Sequence, residues 1–208
     1  MTTVVFDIGG VLLDWNPRHL YRQLIPDTAE LEWFLSEVCT PEWNATLDAG
    51  RSFDEACDEL AINYPSHADL IHAWKRQDEM IAGEVPGSAE LVRALRDGGI
   101  RLYLLTNMPT DVFRARKQRF AVLRQFDGAV VSGDEGILKP SRAIFRRLAD
   151  RYELDPSRSL FIDDFDANVR GAVIAGFNAH RYVDARLLAA VLAEHGLIAG
   201  EGRRGGWL

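Results

Sequence analysis

Short apolar runs that stop at small or acidic residues recur along the chain. Each run is brief and rich in β-branched or aliphatic side chains, a pattern typical of buried strands in a parallel sheet. Four runs are clear and a fifth is weaker: Thr3 to Phe6, Arg101 to Leu105, Ala129 to Val131, Ser159 to Ile162 and, as the weaker one, Ala179 to Val183. We expect these runs to form one sheet.

Apolar residues at helical spacing fill the intervals between the runs. One helix is predicted from Pro86-Gly87-Ser88 to Gly98-Gly99, which are typical start and stop residues. Two more are predicted around Ile144 to Tyr152 and around Val169 to Val173. Strands that alternate with helices indicate an α/β fold, a doubly wound parallel sheet with helices on both faces.

The stretch from about Trp15 to Ala82 breaks this alternation, because it contains no convincing strand. It reads instead as several helices separated by prolines. The helices are predicted around Leu31 to Val38, Phe53 to Ile62 and Ala68 to Ile81. A helical block between the first strand and the rest indicates an inserted α-helical cap rather than a tandem domain.

The length of 208 residues suits one core that carries an inserted subdomain. We expect residues 1–14 plus 83–200 to form the α/β core and residues 15–82 to form the cap. The remaining residues 201–208 are rich in glycine and arginine, and we expect them to be a flexible tail.

Composition narrows the function classes. A net charge of −7 argues against a general nucleic-acid binder, which would present a basic face. The two cysteines form no metal-binding pattern, which fits a reducing compartment and argues against structural zinc. The chain shows no signal-peptide pattern and no apolar run of membrane-spanning length. We therefore expect a cytoplasmic protein with neither a nucleic-acid nor a membrane partner.

Chemistry-bearing side chains follow the predicted strands, at the edge where open α/β sheets bind ligands. They are Asp7, Thr106, Asn107, Asp163 and Asp164, with Lys139 a short loop after the third strand. Carboxylates hold a hard cation such as Mg²⁺, while lysine and threonine contact phosphate oxygens. A carboxylate beside bound phosphorus can attack it. Adjacent Asp163 and Asp164 repel each other unless a cation compensates.

Four segments resemble the four sequence motifs of the haloacid dehalogenase superfamily. They occur in the family's order, and the resemblance covers essentially the whole chain. The segments are Phe6 to Leu12, Leu105 to Asn107, Leu138 to Pro140 and Phe161 to Asn168. The helical block is similar to the four-helix cap that one large subclass inserts after the first motif.

The resemblance implies a role for each matching residue. Asp7 is implied to be the nucleophile and a metal ligand. The main-chain carbonyl of Gly9 and the carboxylate of Asp164 are the other implied ligands of Mg²⁺. Asp163 is implied to support the metal or to bind it through water, and Asn168 to orient the acidic pair.

The same resemblance implies a phosphate site. Thr106 and the backbone of Asn107 would hold the phosphate, and Gly10 of the first motif is counted with them. Lys139 would pair with Asp7 and with the phosphoryl group, which makes it the second catalytic residue.

Gly9 departs from the family pattern. Superfamily phosphatases usually carry an aspartate two residues after the nucleophile, which protonates the leaving group and later activates water. A positioned general acid contributes about 10²- to 10⁴-fold in rate. We therefore expect a better leaving group, as in a sugar 1-phosphate or acyl phosphate, or a proton from the cap or the substrate. Similar superfamily members that act on glucose 1-phosphate share this glycine.

Two cap segments are predicted to face the substrate. Asp14, Trp15, Asn16 and Arg18 follow the nucleophile loop, and Trp43, Asp48 and Arg51 are expected in a loop between cap helices. The residues taken as candidates for substrate binding are Trp15, Arg18, Trp43 and Arg51. The alternative is that the tryptophans pack in the cap and the charges face solvent. Asp166 is expected to face solvent or to cap the following helix.

The leading prediction is a Mg²⁺-dependent phosphatase of a small phosphorylated metabolite. One alternative is a 2-haloacid dehalogenase, in which the same aspartate attacks carbon. Dehalogenases of this fold need no metal and usually lack an acidic pair such as Asp163-Asp164. A third reading is a non-catalytic binding protein with the same fold, since fold does not guarantee chemistry.

Overall fold

The computed structural model describes residues 1–199, which contain seven strands and eleven α-helices. The strands are β1 (Thr3–Phe6), β2 (Leu13–Trp15), β3 (Ile81–Glu84), β4 (Arg101–Thr106), β5 (Gly128–Val131), β6 (Ser159–Asp163) and β7 (Asn178–Arg181). The helices are α1 (Pro17–Leu24), α2 (Thr28–Trp33), α3 (Pro41–Asp48), α4 (Phe53–Asn63), α5 (Ala68–His72), α6 (Ser88–Asp97), α7 (Thr110–Arg119), α8 (Ser132–Glu135), α9 (Arg142–Tyr152), α10 (Asp166–Ile174) and α11 (Ala185–Glu194). Residues 200–208 include the tail that the sequence predicts to be flexible, and they lie outside the described residues.

The central sheet has the strand order β5-β4-β1-β6-β7, and every pairing in it is parallel. From β1 the chain moves outward through β4 to β5, and it then returns to the other side of β1 for β6 and β7. The connections after the neighbouring strands β1 and β6 therefore lead in opposite directions. Such a topological switch point is where open α/β sheets bind ligands.

Alternate residues of β1 point to opposite faces of the sheet, as strand geometry requires. Val4 and Phe6 belong to an apolar cluster with buried residues of α6 and α11. Val5 belongs to a second cluster with buried residues of α9 and α10. The predicted doubly wound α/β sheet is therefore confirmed. The fifth strand lies at 178–181 rather than at 179–183.

The helix predicted between the glycine pairs matches α6. Its buried residues include Leu91, Val92 and Leu95, which form one face. Gly87 (φ +82°) precedes its first residue, and Gly99 (φ +73°) follows its end. Both positions have the left-handed backbone that glycine adopts without a steric penalty.

The predicted helical cap is confirmed, and α1 to α5 share an apolar cluster of their own. At its centre Tyr21 packs against Phe34 and Trp74, with ring centroids 5.1 and 5.7 Å apart. The cap therefore has its own core, separate from the two clusters that cover the sheet. No helix within residues 1–199 has the length and apolar character needed to cross a bilayer.

Three expectations for the cap region are wrong. The helix predicted over Ala68 to Ile81 ends at His72 and continues as short 3₁₀ turns, although the sequence has no breaker there. The Gln77 side chain donates to the Trp74 carbonyl (2.8 Å) and so satisfies a group that a longer helix would use. The predicted loop that carries Trp43 and Asp48 is helix α3, which Thr40 and Pro41 begin.

The third error concerns strands, because the region does contain strand residues. Strands β2 and β3 pair antiparallel where the chain leaves and re-enters the core, with Leu13 opposite Glu84 and Trp15 opposite Ile81. Both are too short to show a periodic pattern in the sequence. The pair lies across the predicted boundaries at 14/15 and 82/83, and those boundaries stay a prediction.

Candidate active site

Three carboxylates meet at the switch point of the sheet. Asp7, Asp163 and Asp164 each offer an oxygen, and these oxygens lie within 4.8 Å of one another. Main-chain pairing sets two of them, since the Asp7 amide donates to the Ile162 carbonyl (2.9 Å) and the Tyr182 amide donates to the Asp163 carbonyl (2.9 Å). The ends of neighbouring strands therefore fix the cluster.

A single buried ammonium lies among these carboxylates. Lys139 Nζ is 2.8 Å from Asp7 Oδ1 and 2.7 Å from Asp163 Oδ2, and its side chain is 1% exposed. Within residues 1–199, Asp7 Oδ1 has no partner at an angle that suits a hydrogen bond. Three carboxylates and one ammonium leave two negative charges (−3 + 1 = −2) when all are ionised. This donor set fits a divalent cation.

Burial shifts the pKa values of the site. Burial raises the pKa of Asp7 to about 7; Lys139 opposes this shift and Asp163 adds to it. Burial disfavours the charged form of Lys139, but Asp7 and Asp163 outweigh it and raise the Lys139 pKa. Desolvation, and then the Asp163 charge, raise the pKa of the more exposed Asp164. The site therefore holds a charged lysine, and two of its carboxylates, Asp7 and Asp164, resist ionisation until a cation compensates them.

Asn107 positions the lysine loop. Its Oδ1 accepts from the Lys139 amide (2.8 Å), and its Nδ2 donates to the Lys139 carbonyl (3.0 Å). Asn107 directly follows β4, so the loop is tied to the end of a central strand. The sequence predicted only that the backbone of Asn107 binds phosphate. It did not indicate that the side chain positions the lysine loop.

The oxygens of Asp163 are fully engaged, in contrast to those of Asp164. Asn168 Nδ2 lies 3.1 Å from both Asp163 oxygens, and the Phe165 amide donates to Asp163 Oδ1 (2.9 Å). Asp163 is completely buried. Asn168 thus contacts Asp163, and the orienting role that the family resemblance implies for Asn168 stays a prediction. Thr106, at the end of β4, is 1% exposed.

The two glycines of the first motif differ in what they allow. Gly10 has φ +69°, and a Cβ there would overlap the Asp164 carboxylate, so a side chain at Gly10 would disrupt the cluster. A Cβ at Gly9 would meet no atom within 4 Å, and its φ is not in the left-handed region. Nothing in the backbone therefore requires glycine at position 9.

The structure separates the cap candidates by location. Arg18 pairs with Glu32 (Nε to Oε1, 2.8 Å) and Arg51 pairs with Glu59, both on the cap surface. Trp15 ends β2 and packs against both the core and the cap. Trp43 packs edge-on against Trp74, with centroids 5.4 Å apart. The arginines thus face glutamates of the cap, and their substrate role stays a prediction.

The other segment residues have local partners. Asp14 contacts His19 (3.1 Å), and the Asn16 side chain caps α1. Asp166 is exposed and pairs with Arg170, while Phe165 is the cap residue of α10. Of the two roles expected for Asp166, the solvent-facing one is confirmed.

Asp48, at the end of α3, is the cap carboxyl that meets the core. Its backbone carbonyl accepts from Ser132 Oγ (2.5 Å), and its Oδ2 accepts from Asn44 Nδ2 (2.9 Å). Burial raises the pKa of Asp48 to about 7; Arg116 opposes this shift, Asp7 adds to it and Lys139 opposes it. Asp7 and Lys139 of the carboxylate cluster thus influence the charge of Asp48.

Sequence reasoning missed two residues at this junction. Ser132 directly follows β5, and that position was its only signal. Arg116 of α7 is 3% exposed and gave no signal, because an arginine on a helix usually faces solvent. Its Nη2 donates to Gln77 Oε1 (3.3 Å), and its buried Nε has no hydrogen-bond partner within residues 1–199. The buried arginine therefore connects the cap turn to the core.

The model of the haloacid dehalogenase-like hydrolase family matches residues 1–176. The match includes the acidic cluster, the lysine loop and the whole cap. The chain belongs to the haloacid dehalogenase-like hydrolases. This confirms the resemblance carried by the four motifs.

Relatives of this hydrolase include proteins that are named for different activities. A sesquiterpene phosphatase of Aspergillus oryzae is 26% identical over 173 residues, which are 83% of this chain and 85% of that protein. A HAD family enzyme of Bacteroides thetaiotaomicron, solved with magnesium and inorganic phosphate, has a TM-score of 0.65 and 19% identity over 88% of this chain and 95% of that one. An L-2-haloacid dehalogenase of Xanthobacter autotrophicus, with chloropropionic acid covalently bound, has a TM-score of 0.66 and 19% identity over 96% and 85%. The two structural likenesses show the shared fold alone.

Proposed function

We propose that this hydrolase cleaves phosphate monoesters of small metabolites through an aspartyl phosphate formed on Asp7. The observation that carries the proposal is the contact of Lys139 with both Asp7 and Asp163 inside the three-carboxylate cluster. A lysine in this place offsets charge on a phosphoryl group that approaches Asp7. The Aspergillus oryzae relative is named as a phosphatase, which supports the same reaction class.

The proposed metal is Mg²⁺, held by Asp7, Asp164 and the main-chain carbonyl of Gly9. Asp163 is the supporting residue, because Lys139, Asn168 and the Phe165 amide already occupy its oxygens. When bound, Mg²⁺ supplies positive charge that offsets the phosphoryl oxygens. Asp164 is the more exposed carboxylate and so the one that a cation reaches from solvent.

The protein groups divide the remaining work. Asp7 Oδ forms the bond to phosphorus, and water later cleaves the aspartyl phosphate. The Thr106 hydroxyl and the Asn107 amide donate to the phosphate oxygens, and Gly10 leaves room for the Asp164 carboxylate. Lys139 stays charged throughout, because two carboxylates raise its pKa. The cap covers the site and excludes bulk water.

The proposed substrate class is a small phosphorylated metabolite with a good leaving group, such as a sugar 1-phosphate. Glycine at position 9 leaves the first motif without a proton donor, and a good leaving group depends least on a proton from elsewhere. For this function we propose a division at residues 14/15 and 82/83 into a core that carries the site and a cap that covers it. A cytoplasmic location stays a prediction.

A panel of phosphorylated metabolites, assayed with Mg²⁺, tests the proposal. We expect turnover of at least one sugar 1-phosphate or acyl phosphate and, after acid quenching, a phosphorylated Asp7 peptide by mass spectrometry. Asp7→Asn should abolish both signals, whereas the exposed Asp166→Asn should change neither. If Asp7→Asn turned over substrate at the parent rate, Asp7 could not be the nucleophile.

A 2-haloacid dehalogenase is the second candidate, because a dehalogenase shares the fold. The buried acidic pair with its lysine favours the phosphatase, since halide displacement needs no metal. The chelator EDTA separates the two: it should stop phosphate release. Chloride release from a 2-chloro acid in EDTA would establish the dehalogenase instead.

A further inference from the structure

Among residues 1–199, the carboxyls at the catalytic edge of the core already have proposed roles, which leaves none of them free to protonate a leaving group. Gly9 stands where a carboxyl would serve, and the space that its Cβ would occupy is open. Asp163 is held by Lys139 and Asn168, and Asp7 is the proposed nucleophile. A proton for an alkoxide must therefore come from outside the first motif, from the substrate or from the cap.

The end of α3 is fixed against this edge. Ser132 Oγ accepts from the Met108 amide (2.8 Å) in the core and donates to the Asp48 carbonyl (2.5 Å) in the cap. Two residues on, a Cβ at Gly50 would come within 3.1 Å of the Gly133 carbonyl oxygen, so the two backbones almost touch. Asp48 is thus placed by main-chain contacts to the segment that follows β5.

The surroundings of the Asp48 carboxyl suit a proton donor. Asn44 Nδ2 holds one of its oxygens (2.9 Å), which fixes the side chain without neutralising it. Three charged groups of other elements influence its charge: Arg116 of α7, Asp7 at the end of β1, and Lys139 in the loop before α9. Burial raises its pKa to about 7, so a large share of Asp48 carries a proton near neutral pH.

Two other acidic side chains near the cap–core junction are already engaged. Asp14 is exposed and contacts His19, and Asp134 accepts from the Thr110 hydroxyl (2.8 Å). Asp48 combines partial burial, a fixed backbone and an electrostatic influence from the nucleophile.

We propose that Asp48 is the general acid that replaces the side chain missing at Gly9, a role that rests on the proposed function. As Asp7 Oδ bonds to phosphorus, the bond from phosphorus to the leaving oxygen breaks and its electron pair stays on that oxygen. The Asp48 carboxyl gives this oxygen its proton and becomes a carboxylate. Arg116, whose buried Nε lacks a hydrogen-bond partner within the described chain, offsets the new charge.

The test is the rate of leaving-group release in a single turnover, with Mg²⁺ present, over phosphates whose leaving groups differ in acidity. Asp48→Asn is close to isosteric, and its amide oxygen can still accept from Asn44. We expect a loss of about 10²- to 10⁴-fold for an alkyl phosphate and little loss for 4-nitrophenyl phosphate, whose phenolate leaves without a proton. The control is Glu42→Gln, an exposed residue of the same helix, which should leave every rate unchanged.

An equal loss for both leaving groups would show a positioning role and overturn the proposal. A second variant keeps the outcome clear, because Gly9 has room for a side chain. Asp48→Asn combined with Gly9→Asp should regain at least about tenfold in alkyl phosphate cleavage, and no gain in a folded double variant would also count against Asp48 as the acid.

The proposed function fails separately, through Asp7. The Asp48→Asn variant is incubated with 4-nitrophenyl phosphate and quenched with acid. A phosphorylated Asp7 peptide in this sample supports the phosphatase proposal even if the role proposed for Asp48 is wrong. If Asp7→Asn cleaves 4-nitrophenyl phosphate at the parent rate, the phosphatase proposal falls instead.

Discussion

Lys139 and Arg116 are both buried cations, but their surroundings differ. Lys139 lies within 2.8 Å of two carboxylates at the catalytic edge. Arg116, at the cap–core junction, contacts the Met108 sulfur (3.5 Å) and the Gln77 amide oxygen (3.3 Å), and within residues 1–199 it forms no ion pair shorter than 4.0 Å. The nearby Asp48 is likewise held by a neutral amide. The lysine at the edge is thus directly paired with carboxylates, whereas the opposite charges of Arg116 and Asp48 at the junction are not paired with each other.

This difference suits two kinds of task. The directly paired lysine and carboxylates give the fixed geometry that phosphoryl chemistry needs. Opposite charges held apart in a low-dielectric junction can respond to a polar substrate group or to a proton transfer. The following predictions test the contrast, from the largest expected effect to the smallest.

Lys139→Met should have the largest effect. The variant leaves Asp7 and Asp163 without their cation, and breaking a buried pair in this way costs about 3–5 kcal/mol in the free energy of unfolding. Turnover should fall by about 10²- to 10³-fold. Urea denaturation and steady-state kinetics measure the two losses. Lys75→Met, at an exposed lysine, serves as control and should change neither the stability nor the turnover. A urea midpoint of Lys139→Met equal to that of the parent would contradict a stabilising pairing of Lys139 with the two carboxylates.

Stabilisation by Mg²⁺ should grow with pH. The pKa of Asp7 rises on folding from 3.8 to about 7, so the folded metal-free protein retains a proton that the unfolded chain releases in this window. The corresponding stability is present below pH 3.8 and is lost as pH rises through about 7. Bound Mg²⁺ favours the ionised carboxylate, and at 100 times its dissociation constant it should add about 2.7 kcal/mol.

Urea denaturation with and without Mg²⁺, at pH 5 and pH 8, measures this difference. Asp48 has a raised pKa too, but it should affect both series equally and cancel in the difference. Asp7→Asn should remove most of the pH dependence. A Mg²⁺ effect of the same size at both pH values would exclude Asp7 as a ligand that ionises on binding.

Ser132→Ala should have an intermediate effect, concentrated at the junction. It leaves the Met108 amide and the Asp48 carbonyl without their buried partner, which costs about 1–3 kcal/mol. Because Asp48 loses its anchor, alkyl phosphates should lose more in turnover than aryl phosphates. The exposed Ser36→Ala is the control. An unchanged ratio of the two rates would show that Ser132 does not position Asp48.

Arg18→Ala should have the smallest effect. Arg18 pairs with Glu32 on the cap surface, and exposed pairs of this kind contribute little. We expect an unchanged urea midpoint and an unchanged kcat/KM for the best substrate. A large rise in KM would instead restore the role that the sequence assigns to Arg18 and place substrate contact on the outer cap.

The sequence predicts the catalytic edge well because the backbone fixes it. Asp7 and Asp163 stand at strand ends, and parallel pairing brings these ends together whatever the loops do. Gly10 and Asn168 follow from the same motifs. The double contact of Asn107 with the lysine loop could not be read, because it depends on the path of a loop 32 residues further along the chain.

The junction could not be predicted in the same way. Asp48 was expected in a loop, although Thr40 and Pro41 carry the start signal of α3. Arg116 lies on a helix of strongly polar composition, and its burial comes from the cap that packs over it. Strands β2 and β3 are too short for a periodic signal, and their pairing is a tertiary effect.

With Lys139 between Asp7 and Asp163, the chain can fold before any metal arrives. In proteins whose ligands only repel one another, binding of the ion is part of the folding reaction. Here a covalently attached ammonium holds the acidic strand ends together from the start. We therefore expect a newly synthesised chain to fold without magnesium, and the supply of magnesium to limit its activity rather than its folding.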